Sequence, residues 1–282
     1  MTEAGTLYVV ATPIGNLGDF SVRARDILAS VALIAAEDTR HSGRLLQAFG
    51  IRTPMLSLHE HNEVQRAPDL VDRMRGGNDI ALISDAGTPL ISDPGFRLVQ
   101  AAASAGLRVS PVPGPSSILA ALSVSAQPSD RFVFEGFLPS RNGPRRKRLA
   151  QLRGDSRTLV LLEAGHRISD TLADLAAVFG EDRRATVARE LTKLHETILR
   201  GRLEDLARRV REDGDQRRGE FTLVVAGAPA AHDEPEALDV RRLLSALLDE
   251  LPPGRAAAVA ARTSGQARRE LYRLALELAD AR

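Results

Sequence analysis

The sequence contains no cysteine. That removes disulfides, thiolate metal centres and cysteine nucleophiles together, and it fits a reducing cytoplasm. Tryptophan is absent too, and aromatic residues make up only 4%. The cores must therefore be packed with Ala, Val, Leu and Ile. No apolar run approaches the ~18 residues that span a bilayer. The start, MTEAGTLYVV, has no basic region and no apolar stretch of signal length. A soluble, cytoplasmic protein is expected. Net charge is +1, so total charge selects no partner, and a nucleic-acid surface has to come from local clustering. Two phosphate-binding signatures are missing as well. No G-x-G-x-x-G follows the first strand and no G-x-x-x-x-G-K-[ST] occurs anywhere, so neither a Rossmann nor a P-loop site is supported.

What is present is a chain of 282 residues, 43% hydrophobic, globular and long enough for two cores. Its most informative stretch is Ile80–Gly95, IALISDAGTPLISDPG. An apolar run breaks into two acidic turns rich in Gly and Pro. A buried strand followed at once by such turns is how an open α/β sheet builds a ligand crevice. Gly87 and Gly95 allow backbone to approach a ligand, and Asp85 can accept hydrogen bonds from it. Asp93 has a second reading, as the cap of a helix with Pro94 in its first turn.

Strand-like runs Leu7–Thr12, Val31–Ala36, Met55–Leu58, Ile80–Ser84 and Arg108–Val112 alternate with helical spacing. That alternation predicts a largely parallel sheet with helical crossovers. Loops after Thr12, Ala36 and Ile83 then share one edge of the sheet. Pro113-Gly114-Pro115-Ser116-Ser117 reads as a hinge, with a serine to cap the next helix. A second run of strands extends to Glu220–Ala226. Ala228–Glu236 reads as a linker, followed by three short helices with a helix-turn-helix corner at Thr263-Ser264-Gly265. Domains are expected at 1–113, 114–228 and 238–282. Arg141–Arg157, with Arg141, Arg145, Arg146, Lys147 and Arg148 at its head, reads as a basic loop and is the best RNA footprint. A solvated charged face is the plainer account of the same run.

TPIGNLGD, AEDTRHSGRLL, HEHNE, SDAGTPLISDPG, VPGPSS, FEGFLP, EAGHR, ARELTKLHE and GEFTLVV occur in this order. With them the chain resembles the small-subunit ribosomal RNA 2′-O-methyltransferase family of the tetrapyrrole methylase-like superfamily, over about Leu7–Ala226. The resemblance implies an α/β fold. It has two α/β domains of the tetrapyrrole methylase (class III methyltransferase) type, plus a small C-terminal helical extension. It implies S-adenosylmethionine (SAM) in the cleft and methylation of a cytidine 2′-hydroxyl in the decoding region of 16S rRNA. The partners it implies are that RNA, within the 30S subunit, and a second copy of the chain in a homodimer. On this sequence the donor is expected against Pro13, Ile14 and Gly15; Asp85, Ala86, Gly87 and Thr88; Ser116 and Ser117; and Leu162, Glu163, Ala188 and Arg189.

Methyl transfer from a sulfonium needs no covalent intermediate. It needs alignment, worth ~7–11 kcal/mol, and a base for the hydroxyl proton. Candidates are Glu60, Asp38 and Glu190, with His59, His61 and Glu163 behind them. Glu37-Asp38 can instead simply pair with Arg40, and no metal site is expected from His59-x-His61. Two rivals share these features: a SAM-dependent C-methyltransferase on an acidic tetrapyrrole, and a non-catalytic RNA-binding assembly factor.

Overall fold

A computed structural model describes residues 3–229 and 240–280. The chain forms two compact units, Met1–Ala228 and Pro229–Arg282.

The first half of the larger unit builds an all-parallel sheet from β1 (Thr6–Val10), β2 (Leu33–Ala36), β3 (Met55–Ser57), β4 (Ile80–Ile83) and β5 (Arg108–Val112). The order is β3-β2-β4-β1-β5. β2 and β4 are buried at every position, as parallel strands covered on both faces must be. Ile80 and Leu82 enter one core with Leu70, Met74 and Leu98, while Ala81 and Ile83 enter the other with Leu28 and Leu46. The crossovers are α1 (Val22–Ser30), α2 (Thr39–Ala48), α3 (Glu63–Arg75) and α4 (Phe96–Ser104). Because β2, β4 and β1 are neighbours, the loops that follow them adjoin on one edge, as the alternation suggested.

Ser21 caps α1 and Asp38 caps α2 through side-chain oxygens. α4 is different. Its cap position is Gly95, at φ 125° and without a side-chain bond. The Leu98 amide donates instead to Oε1 of Glu63 at 3.0 Å, a buried carboxylate on α3. The capping role considered for Asp93 thus falls to Glu63.

The second sheet holds β6 (Phe132–Phe137), β7 (Thr158–Ala164), β8 (Arg184–Arg189), β9 (Thr197–Arg202) and β10 (Glu220–Val225), in the order β6-β7-β10-β8-β9. Only β6 and β7 pair in parallel; the other pairings are antiparallel. The parallel pairing expected for the first run of strands does not extend to this sheet. The connection 190–196 is too short for a helical crossover, so β8 and β9 form a hairpin. α6 (Asn142–Leu152), α7 (Ile168–Phe179) and α8 (Leu203–Glu212) cover one face. α5 (Ser117–Val124), capped by Ser116, covers the other, with Ile118, Ala121 and Leu122 on Val160, Ala188 and Val224. Ile14, from the loop after β1, packs into that same cluster and ties the two sheets together.

The basic stretch expected as a loop is largely helix α6. Asn142-Gly143-Pro144 looked like a break, but proline in a first turn lacks only an N–H that would be unsatisfied anyway. In the smaller unit, α9 (Val240–Leu248), α10 (Pro253–Ser264) and α11 (Arg268–Asp280) pack around Leu244, Ala256, Ala257, Ala260, Leu271 and Ala275. Most of the linker expected at Ala228–Glu236 lies outside the described residues. Among the described residues, no helix is long and apolar enough to cross a membrane.

Candidate active site

The strand-end loops of the first sheet face β7, β8 and β10 of the second across a cavity of about 410 Å³, within the range of small-molecule sites. One wall is acidic: Glu37 at the end of β2, and Asp85 and Asp93 in the turns after β4. The opposite wall is mostly apolar, with Leu162, Ala164, Ala188, Leu191 and Phe221. Ile14, Ile91 and Phe137 narrow the space between.

The acidic wall is held by its own backbone. The Asp85 amide donates to Oε2 of Glu37 at 3.3 Å, and the Asp38 amide donates to Oδ1 of Asp85 at 3.2 Å. Thr12 and Gly87 exchange backbone hydrogen bonds at 2.9 and 3.1 Å. Thr88 Oγ1 donates to the Pro115 carbonyl at 3.2 Å, joining the β4 turn to the hinge. Gly87 sits at φ 84°, where a Cβ would also press to 3.3 Å from Ile14; only glycine suits both demands. Leu90 and Ser92 hold positive φ as well, 73° and 66°. Such strain in non-glycine residues gathers at functional loops.

Crowding carboxylates shifts their protonation. Burial raises the Asp93 carboxyl to about 6, with Glu37 and Asp85 pushing the same way and the Ser84 hydroxyl pulling against them. Glu37 is also raised, first by burial and then by its acidic neighbours, against the Asp85 amide that it accepts.

Among the residues expected around a methyl donor, Ile14, Asp85, Ala86, Ser117, Leu162, Glu163 and Ala188 line this cavity. Gly87, Thr88 and Ser116 line a small recess that shares Ala86, Ser117 and Leu162 with it. Pro13 and Gly15 line a neighbouring depression of about 280 Å³ with His41 and Arg44, and Asp85 borders both. Arg189 lines none of these. It is buried, and its guanidinium donates to the carbonyls of Arg218 and His195. Glu163 is nearly sealed. It accepts from Thr171 at 2.6 Å and from the Ala164 amide at 2.9 Å, and it pairs with Arg167 at 3.1 Å.

The expected bases fall elsewhere. Asp38 is exposed and caps α2, accepting from the Arg40 amide. Glu60 stands exposed in the turn before α3. Glu190 accepts from Lys193 and from the Glu220 amide, both at 2.9 Å. None of the three lines the cavity. Asp93 does, and the sequence hid it because a Ser-Asp-Pro-Gly turn reads equally well as a helix start.

The residues of the basic run differ in their surroundings. Arg145 is only 3% exposed and lies against Asp174 at 2.7 Å. Arg148 grips both oxygens of Glu135 at 2.7 and 2.9 Å. Arg146 is half-exposed, 3.6 Å from Asp174. Arg141 and Lys147 face solvent.

Residues 6–207 match the family described as Tetrapyrrole (Corrin/Porphyrin) Methylases. The fold agrees with the uroporphyrin-III-C-methyltransferase of Thermus thermophilus, at TM-score 0.54 and 21% identity, over 79% of this chain and 95% of that one. By fold and family the chain is a methyltransferase of the tetrapyrrole methylase type. Its sequence is 54% identical over 272 residues to "Ribosomal RNA small subunit methyltransferase I" of Xylella fastidiosa (strain Temecula1), covering 96% of this chain and 99% of that protein. It is 53% identical over 276 residues to the protein of the same name in Pseudomonas aeruginosa PAO1, covering 98% of each. Residues 234–279 match the "RsmI C-terminal HTH domain". The chain belongs to the ribosomal RNA small subunit methyltransferase I family, whose members are SAM-dependent methyltransferases.

Proposed function

We propose that the protein transfers a methyl group from SAM to the 2′-hydroxyl of a cytidine in the decoding region of 16S rRNA, within the 30S subunit. The observation that carries the donor site is the cavity itself, acidic on one wall and mostly apolar on the other. The donor bears a sulfonium, an ammonium and a flat base. Carboxylates suit the cations and the apolar wall suits the base. Ile14, Asp85, Ala86, Ser117, Leu162, Glu163 and Ala188 are the residues that hold it, with Gly87, Thr88 and Ser116 beside them. The choice of RNA follows relatives more than half identical over nearly their whole length. The nucleotide, the homodimer and the cytoplasmic location follow the family resemblance.

When bound, the donor supplies a methyl carbon already activated by positive sulfur. A hydroxyl that accepted the methyl would have to give its proton to a base on the chain. We assign that proton to Asp93, whose carboxyl near 6 is ionised at neutral pH and still basic. His41 and Arg44, beside Asp85 in the neighbouring depression, suit a phosphate of the incoming strand. Arg141, Arg146 and Lys147 on α6 offer a second phosphate contact. The test is methylation of 30S subunits with labelled donor, followed by alkaline hydrolysis. A 2′-O-methyl group blocks cleavage at its own nucleotide, so one gap at a decoding-region cytidine is expected. Label on a base, or on a tetrapyrrole instead of RNA, overturns the reading.

A further inference from the structure

The three-helix unit has one surface that its own packing does not explain. α11 buries Leu271 and Ala275, with Leu274 and Leu278 packed alongside. Opposite this stripe stand Arg269, Tyr272, Arg273 and Leu276, at the i, i+3, i+4, i+7 spacing of one helix face, with Arg268 one turn before Tyr272. Tyr272 is 44% exposed. Its ring edge lies 3.7 Å from where a Cβ on Gly254 of α10 would be, so α10 supports the ring.

Arg268, Arg269 and Arg273 form no ion pair among the described residues. Elsewhere, Arg145, Arg148, Arg157, Arg167 and Arg202 each meet a carboxylate. Arg268 and Arg269 also stand in the first turn of α11, where cations oppose the helix dipole. A feature that works against local stability without an internal gain points outward, to a partner. α10 leads into α11 through Gly265 at φ 72°, a sharp corner, and Arg268, Arg269 and Arg273 beyond it are exposed.

We propose that this face of α11 is an RNA-docking surface. Arg268, Arg269 and Arg273 meet phosphates, and Tyr272 stacks on an unpaired base. The partner chemistry follows from the combination. Arginines alone fit any polyanion, but a supported, exposed ring set among them fits a nucleobase beside its phosphate. A membrane surface needs a broad exposed apolar face, and here Leu276 is the one aliphatic residue between the arginines. The proposal deepens the RNA reading above and rests on it only for the identity of the strand.

The test uses the full-length protein and a 16S-derived hairpin with an unpaired loop, followed by fluorescence anisotropy at several salt concentrations. Replacing Arg268, Arg269 and Arg273 by Ala should weaken binding at least tenfold. It should also flatten the slope of log affinity against log salt by about two to three, near 0.7–0.9 per lost phosphate contact. The triple Lys variant should keep most of the slope. Tyr272→Ala should weaken binding roughly tenfold with the slope unchanged. SAM affinity is the control for the larger unit. Unchanged RNA affinity and slope in the triple Ala variant overturns the proposal, as does loss of binding only to anionic vesicles. These readings need no methyl transfer. If the wild type methylates RNA but the variants bind as tightly, this surface fails and the activity stands. If the wild type methylates nothing yet the variants lose RNA, the surface stands and the activity fails.

Discussion

Arg145 separates a structural role from an RNA role most cleanly. Arg145→Ala removes a guanidinium that is 3% exposed. Its Nε and Nη2 both reach Oδ2 of Asp174 at 2.7 Å, and Nη1 reaches the Ser140 carbonyl at 3.2 Å. Asp174, itself only 6% exposed, is left without its main partner. Breaking one side of a buried pair costs ~3–5 kcal/mol. Asn142 still donates to both Asp174 oxygens at 2.9 Å, and Arg146 remains at 3.6 Å. Those survivors place the loss near the lower end, ~3 kcal/mol. For a unit of this size each kcal/mol moves Tm by about 2–4 °C, so a fall of roughly 6–12 °C is expected by calorimetry or circular dichroism. Arg146→Ala is the internal comparison. It is half-exposed and should move Tm by no more than about 3 °C. Pairing Arg145→Met with Asp174→Leu should recover much of the loss, because no charge is then stranded. The reasoning fails if Arg145→Ala leaves Tm within about 2 °C of wild type, and weaker RNA binding without that thermal loss would restore the phosphate-contact reading.

Asp93→Asn should lower kcat by ~10²–10⁴ and yet stabilise the fold. The folded carboxyl is raised to about 6, so ionising it opposes folding. The penalty is absent below the unfolded value near 3.9, grows as pH rises and is full above about 6. The variant should therefore gain stability at pH 7 and nothing near pH 4. Full conversion of the shift gives ~3 kcal/mol, and screening at this partly exposed site leaves ~1 kcal/mol. The wild-type rate should climb to a plateau just above the Asp93 value and the residual rate of the variant should be flat; equal rates, or a lower Tm at pH 7, refute the assignment. Glu63→Ala should strand the Leu98 amide and cost ~1–3 kcal/mol, read as a lower denaturation midpoint. Glu63→Gln should restore most of it, and equal loss in both variants would show that the amide is not what Glu63 serves.

The strand runs IALI and LIAA, the glycine stops and the serine caps are local signals, and they located nearly every element of the larger unit. Neighbouring residues in the chain decide them: periodicity sets the face, and short polar side chains satisfy free N–H groups. The ordered motifs likewise pointed to the family, and the strand-end turns to the edge where a cavity would form. What the sequence could not show depends on residues far apart. Arg145 became structural because Asp174, on another helix, meets it in a dry space. Asp93 is left lining the cavity because Glu63, thirty positions earlier, serves the free amide of α4. The β8–β9 hairpin follows from a short connection, while the insertion of β10 antiparallel between β7 and β8 is a long-range pairing that no local signal marks. Charge and spacing say which groups a chain has; burial and partners, which only the assembled core supplies, say which of them remain free to act.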